Sequence, residues 1–160
     1  IPFLDGTSYH YSLPSLATRG TLEVNDRTYR VTGESWLDRQ WGSWDMKVLD
    51  KWTWMALQLS NGDRLNLWNL LAQGRELSYA TVLHPDGTHE IVAVKPLAEG
   101  TSDFWTSPAS GKRYGTRWIV DIPSLDARFT VAAHPREQEL LTDYGNVYEG
   151  ASTVTGRYRG

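Results

Sequence analysis

The chain has 160 residues, no cysteine, eight tryptophans and a formal net charge of −3 at neutral pH. This length fits one domain with a sizeable core, and the composition is that of a globular protein. The lack of cysteine excludes disulfides, thiolate chemistry and Cys-ligated metals, and the slight acidity argues against a nucleic-acid partner. No apolar run approaches the roughly 20 residues of a membrane-spanning helix, so we expect no transmembrane segment. The cellular compartment is left open.

The pattern along the chain is that of short β-strands separated by turns. Three hairpins are predicted: 21–24 with 28–32 around Asn25-Asp26, 52–59 with 65–71 around Asn61-Gly62-Asp63, and 79–83 with 89–94 around Pro85-Asp86-Gly87. Further strands are predicted at 113–121, 127–133, 137–141 and 147–155, with a loop over 96–112 and a short helix at 124–127 or around Ser15. About nine or ten strands in meander order favour an all-β up-and-down barrel or a sandwich.

The two ends of the chain suggest processing or trimming. The chain begins Ile1-Pro2-Phe3, and its last residues, 156–160, resemble the middle of a hairpin. An ordinary boundary is the alternative interpretation.

The hairpin at 52–71 is apolar on both faces. Alternation places Trp52 and Trp54 on one face and Met55 and Leu57 on the other. A strand without a solvated side must be covered twice. We expect one face to line a barrel interior and the other to meet a helix, a second domain or a partner chain.

The segment 33–42 contains the most unusual carboxylate. In an extended strand Asp38 shares a face with Trp36 and Gln40, while Arg39 and Trp41 take the other face. Aspartate is disfavoured in strands, so its presence needs a reason. One interpretation is a general acid aimed into an aromatic-lined cavity. The alternative is an ion pair with Arg39, Arg64 or another buried arginine that fixes the sheet.

Other candidate residues are weaker. Glu149 lies in a predicted strand among apolar neighbours, either as a site carboxylate or as a charge pair near a barrel mouth. Tyr9 and Tyr11 either pack within a strand or contact a ligand. Glu139 is predicted on a solvated edge strand. The histidines are scattered, at positions 10, 84, 89 and 134, so no metal site is predicted.

Several motifs together resemble a known family. They are Ser8-Tyr9-His10-Tyr11-Ser12 with Gly20-Thr21-Leu22, the stretch Val31 to Gly42 with its Trp36-Leu37-Asp38-Arg39-Gln40-Trp41-Gly42 core, Trp52-Thr53-Trp54, Trp105-Thr106-Ser107-Pro108 with Gly111 and Tyr114, Gln138-Glu139-Leu140, and Tyr148-Glu149-Gly150-Ala151. In order and spacing these resemble the second half of the two-domain lipocalin-like proteins related to hydroxyneurosporene synthase (carotenoid 1,2-hydratase) and the attachment-gene secreted "hydrolases".

The resemblance implies a lipocalin-like antiparallel up-and-down β-barrel of about 8–10 strands, half of a two-barrel unit. It also implies a lipophilic small-molecule substrate, a second barrel domain or partner chain, and no cofactor. Trp36 and Asp38 fall on the Tyr-x-Asp pair associated with catalysis in the hydratases, and Arg39 stands where His is frequent. Asp38 is thus the expected catalytic residue. The expected substrate-binding residues are Trp36, Tyr9, Tyr11, Arg39, Trp41, Trp52, Trp54 and Glu149.

Three functions remain open from the sequence. The first is an enzyme that hydrates a polyene or polyketide-like substrate through Asp38, or folds it for a Diels–Alder cyclisation as fungal relatives of the family do. The second is a non-catalytic carrier of a hydrophobic small molecule. The third is a structural half-domain of a larger assembly, as a barrel filled by its own side chains would suggest.

Overall fold

The computed structural model describes residues 2–3, 6–43, 46–143 and 145–160, with side chains from residue 6 onward except at Met46. The strands in chain order are β1 (Pro2–Phe3), β2 (Gly6–Val24), β3 (Arg27–Ser43), β4 (Lys51–Gln58), β5 (Arg64–Ala72), β6 (Arg75–Leu83), β7 (His89–Ala93), β8 (Thr101–Thr106), β9 (Arg113–Ile122), β10 (Ala127–Ala133), β11 (Glu139–Leu140), β12 (Val147–Tyr148) and β13 (Ser152–Arg157). Single 3-10 turns lie at Met46–Val48, Ala98–Gly100 and Pro123–Leu125. Within these ranges no helix is long and apolar enough to cross a bilayer.

The predicted all-β, antiparallel, up-and-down architecture is confirmed. Strands β4 to β7 form one meander sheet, and β8, β9, β10 and β13 form a second sheet in the order β13-β10-β9-β8. The two sheets contribute to one apolar core that includes Leu65, Leu67, Val82, Val120 and Phe129, all almost fully buried. Burying these side chains is the main favourable term that holds the two sheets together.

A long hairpin, β2 with β3, is the most prominent feature outside this core. The predicted turn at Asn25-Asp26 forms its tip, and both residues have positive φ, 50° and 60°, as a type I′ turn requires. The strands are far longer than the sequence pattern predicts, pairing from Thr7↔Ser43 to Val24↔Arg27 with one irregularity beside Pro14. The helix considered around Ser15 is therefore wrong, because Ser15 lies within β2.

Two other sequence predictions need correction. The predicted loop over 96–112 contains β8, which pairs with β9 although Asp103 within it has a positive φ of 50°. The predicted strand 147–155 is divided into β12 and β13, with Gly150 in the break. A Cβ at Gly150 would lie 2.5 Å from the Tyr148 ring, so the chain turns there around an aromatic side chain.

The long hairpin lies on the β4–β7 sheet, on the face opposite the core. Arg64 of β5 donates to Glu34 of β3 at 2.6 Å, and the His10 ring meets the Trp68 ring edge-on with centroids 5.1 Å apart. The second apolar face of the 52–71 hairpin is thus covered in part by this chain's own β2 and β3.

A buried carboxylate anchors the last strand at one end of the fold. Asp63, in the β4–β5 turn, accepts a hydrogen bond from the Tyr158 hydroxyl at 2.6 Å and lies 3.0 Å from Nδ1 of His84. Desolvation would raise the pKa of Asp63, but these hydrogen bonds outweigh it and hold the pKa below 3.8. The bond to Asp63 raises the pKa of His84 above 6.5. The cluster joins two turns to the segment after β13.

We expect Tyr158→Phe to lower the free energy of unfolding by about 1–3 kcal/mol, because Asp63 stays buried and loses a donor. Urea denaturation measures the change. Tyr29→Phe, on the exposed hairpin, is the matched control and should leave stability unchanged. Equal stabilities of the two variants would contradict the anchoring role.

The same cluster predicts a pH dependence with a defined sign. The raised pKa of His84 adds stability below about pH 6.5 that fades as the pH rises through its folded pKa, and the lowered pKa of Asp63 adds stability above about pH 3.8 that fades on acidification. The urea midpoint of the wild type should therefore exceed that of His84→Gln in mildly acidic buffer, and the difference should shrink towards alkaline pH. A difference that grows with pH would overturn this assignment.

Candidate functional site

Antiparallel pairing of β2 with β3 gathers the polar residues of the site. Asp38 is opposite Ser12 in the register, and His10 is two pairs further along, opposite Gln40. The Trp36 indole donates to Asp38 Oδ1 at 2.8 Å, the Ser12 hydroxyl also donates to Oδ1, and His10 Nε2 lies 3.5 Å from it. We call the hairpin face that carries these residues its inner face, because it is turned towards the β4–β7 sheet.

Asn66 connects the inner face to the sheet. Its amide nitrogen donates to the Ser12 hydroxyl at 2.7 Å and lies 3.5 Å from His10 Nδ1. Its amide oxygen accepts from the Trp54 indole at 2.9 Å. The result is a continuous hydrogen-bonded chain from Trp54 through Asn66 and Ser12 to Asp38.

A pocket of about 450 Å³ opens beside this network, on the β4–β7 face opposite the core. His10 and Asn66 form its polar part, and the remaining wall is formed by Trp68, Leu77, Tyr79, Thr81 and Ile91. The volume is within the range of small-molecule sites, and the apolar wall with a few polar groups is typical of them.

The electrostatics of the site favour a neutral imidazole and a protonated phenol. Burial lowers the pKa of His10 below 6.5, against the opposing attraction of Asp38. Burial raises the pKa of Tyr79 to about 12, so its hydroxyl stays protonated and can donate to a ligand oxygen. The side chain of His10 is 9% exposed and that of Asp38 is 23% exposed.

The structure brings only some of the predicted site residues together. Asp38, Trp36 and Trp54 lie in the network, and Trp52 packs against pocket-lining Trp68 with centroids 6.3 Å apart. Four other predicted residues lie on the opposite side of the hairpin, which we call its outer face: Tyr9, Tyr11, Arg39 and Trp41. The rings of Tyr9 and Trp41 stack there with centroids 5.7 Å apart. The predicted faces of strand 33–42 agree with the structure, but among the residues that the structure describes no arginine pairs with Asp38.

Glu149 lies away from the pocket. It is exposed between β12 and β13, where its backbone N–H donates to Gln138. The neighbouring Glu139 is not the solvated edge residue that the sequence predicts. It accepts hydrogen bonds from Ser107, Ser110 and Tyr114, which outweigh desolvation and lower its pKa below 4.5.

The number of carboxylate oxygens that accept hydrogen bonds distinguishes Asp38 from Asp63 and Glu139. Asp63 and Glu139 each use both oxygens in hydrogen bonds. Asp38 receives its donors on Oδ1, and within the described ranges no hydrogen bond reaches Oδ2. An oxygen left open on a carboxylate that is otherwise fixed by donors is available for proton transfer.

Sequence reasoning missed most of the pocket wall. Neither His10 nor Asn66 is among the site residues that the sequence predicts. Alternation could have placed Asn66 with Trp68, and Thr81 with Tyr79, on one face. Among the residues that the structure describes, no group of three or more histidine or acidic side chains is placed to bind a metal ion.

The fold and the pocket define a lipocalin-like all-β protein. The AttH-like family profile matches residues 3–160, and the chain belongs to that family. It is 28% identical over 166 residues to the dehydratase asqC of Emericella nidulans, covering 96% of this chain and 47% of that protein.

Two solved structures share the fold, each with a TM-score of 0.81. Kievitone hydratase of Nectria haematococca is 22% identical, with 94% of this chain and 48% of that chain covered. An AttH protein of Nitrosomonas europaea is 23% identical, with 93% and 47% covered. The chain thus spans about half the length of the relatives it matches.

The pocket predicts binding of an apolar ligand. We expect Ile91→Asp to weaken binding of cis-parinaric acid at least about tenfold, because the ligand would have to desolvate an unpaired charge in the wall. Energy transfer from tryptophan to the polyene measures the affinity. Leu141→Asp, at an exposed leucine just after β11, is the control and should bind as the wild type does. Equal loss in both variants would show that the probe binds elsewhere.

Proposed function

We propose that this chain forms the site of a lipocalin-like enzyme that adds water to, or removes water from, a lipophilic small molecule, with Asp38 as the proton-transferring group. The observation that carries the proposal is Asp38 with an open Oδ2, held by two donors on Oδ1, with His10 Nε2 3.5 Å away, beside a pocket with a largely apolar wall. The names of two relatives, a dehydratase and a hydratase, support the same reaction class.

In the proposed chemistry, Asp38 transfers one proton in hydration and in the reverse reaction, dehydration. For hydration, Asp38 in its protonated form gives the proton to one alkene carbon, and the adjacent carbon becomes cationic. A water oxygen then bonds to that carbon and returns one proton to the carboxylate. Dehydration is the reverse sequence. The face of Trp68, in the pocket wall, can stabilise the cation by cation–π attraction.

The pocket supports a substrate with an extended apolar part and at least one oxygen. Leu77, Ile91 and Trp68 offer apolar surface, while the protonated Tyr79 hydroxyl can donate to an oxygen acceptor. An oxygenated polyene or a polyketide-like molecule satisfies both requirements. Such a molecule could also undergo intramolecular cyclisation in the same pocket, which needs positioning rather than a proton donor.

Asp38→Asn tests the proposal. In the intact protein, a panel of isoprenoid and polyketide-type alkenes and their alcohols is incubated in ¹⁸O-labelled water, and mass spectrometry follows gain or loss of water. We expect kcat to fall at least about 100-fold, because the amide cannot exchange the proton. Binding of the substrate should change little.

Glu34→Gln is the matched control, since Glu34 is also an acidic residue of β3 but pairs with Arg64. Unchanged turnover in folded Asp38→Asn would refute the proton-transfer role and favour shape-driven cyclisation. Polyene binding with no product from any substrate would favour a carrier instead.

We also propose that a second lipocalin-like barrel covers the outer face of the hairpin. Exposed apolar side chains are concentrated there, notably Tyr9, Leu22, Tyr29, Leu37 and Trp41, each more than 40% exposed. The polar inner face is turned to this chain's own sheet, so the amphipathic pattern of the hairpin is explained if apolar surface meets its outer face. The double length of the relatives supports this arrangement.

Two tryptophans with similar exposure test the covering barrel. Trp41 on the outer face is 48% exposed, and Trp52 on the sheet is 41% exposed. In hydroxyl-radical footprinting of the intact protein, Trp41 should be oxidised several-fold more slowly than Trp52, because only Trp41 would be covered. Equal oxidation rates would contradict the proposed second barrel.

A further inference from the structure

The amide of Asn66 has its orientation fixed by a neighbour that can only donate. The indole N–H of Trp54 carries no acceptor, so the Asn66 atom 2.9 Å away from it is the carbonyl oxygen. The amide nitrogen of Asn66 is consequently turned towards Ser12 and His10. Asn66 is buried on β5, and this orientation gives both ends of its amide a partner.

This orientation determines the roles of the next two groups. The amide nitrogen is a pure donor, so the Ser12 oxygen accepts from it and turns its own proton to Asp38. The same nitrogen faces Nδ1 of His10, which favours an unprotonated Nδ1. The proton of the neutral imidazole is then on Nε2, the nitrogen that lies 3.5 Å from Asp38 Oδ1.

We propose that Asn66 is a positioning residue that holds His10 as its Nε2–H tautomer and aims the Ser12 hydroxyl at Asp38. The inference rests on the proposed function, since it assigns to Asn66 the arrangement of donors around the proton-transferring carboxylate. Through it, the Ser12 hydroxyl and the Nε2–H of His10 are both turned to Oδ1, and Oδ2 is left for the substrate's proton. Asn66 itself need not touch the reacting atoms.

The tautomer is directly observable. In ¹⁵N-labelled intact protein, long-range ¹H–¹⁵N correlation spectra distinguish a protonated ring nitrogen from an unprotonated one, and His10→Gln assigns the His10 signals among the four histidines. We expect an unprotonated Nδ1 and a protonated Nε2 in the wild type. A protonated Nδ1 in the wild type would overturn the proposal.

Asn66→Asp replaces the donor that faces Ser12 and His10 with an acceptor. One carboxylate oxygen can still accept from Trp54, while the other now accepts where the amide nitrogen donated, so His10 Nδ1 should gain a proton. Asn69→Ala is the control, because Asn69 is a buried asparagine of the same strand on the opposite face, bonded to Glu76. It should leave the His10 signals unchanged. An unprotonated Nδ1 in folded Asn66→Asp would refute the positioning role.

Asp38→Asn separates Asn66 from the other candidate for control of the tautomer and does not depend on the stability of the Asn66 variants. If Asn66 sets the tautomer, the Nε2–H form persists in Asp38→Asn; a switch to Nδ1–H would assign control to Asp38 and overturn the proposal. Turnover is read separately. Retained turnover in Asp38→Asn together with the expected spectra would refute the proposed reaction while supporting the role of Asn66.

Discussion

Strand β5 is buried on both of its faces, and this constraint organises the rest of the molecule. Leu65 and Leu67 face the core between the two sheets, while Asn66 and Trp68 face the long hairpin. A buried amide without partners would cost stability, so the layer that covers Asn66 must supply hydrogen-bonding groups. The hairpin does so with His10 and Ser12.

This requirement explains why the hairpin lies with its polar side inward. The usual orientation of an amphipathic strand puts apolar side chains inside and polar ones in solvent. Here Asp38 and His10 face the sheet, and Tyr29 and Trp41 face outward. The candidate site and the exposed apolar surface are therefore two sides of the same hairpin, and a change that reorients one also displaces the other.

Three hydrogen-bonded carboxylates, Asp63, Glu139 and Asp38, show how structural and proposed chemical roles can be distinguished. Asp63 anchors the chain after β13 through Tyr158, and Glu139 ties β11 to the segment around Ser107. In both, hydrogen bonds outweigh desolvation and each oxygen is occupied. Asp38 has comparable support on one oxygen only, beside a pocket with an apolar wall. Under the proposed function, the open Oδ2 beside the pocket, more than burial, is the reason to assign proton transfer to Asp38.

The sequence by itself determined the all-β class, the hairpin turns and which side chains share a strand face, because turn residues and two-residue alternation are local properties. It singled out Asp38 through the same alternation, and ordered motifs placed the chain in its family. It could not determine which layer covers which face. The pocket wall, the partners of Asp38 and the role of Glu139 depend on contacts between residues distant in the chain, such as Asn66 with Ser12. Packing of the hairpin on β5 decided the partners of Asp38, and packing of β11 against the segment around Ser107 decided the role of Glu139, because a polar group is satisfied by whichever segment folds over it.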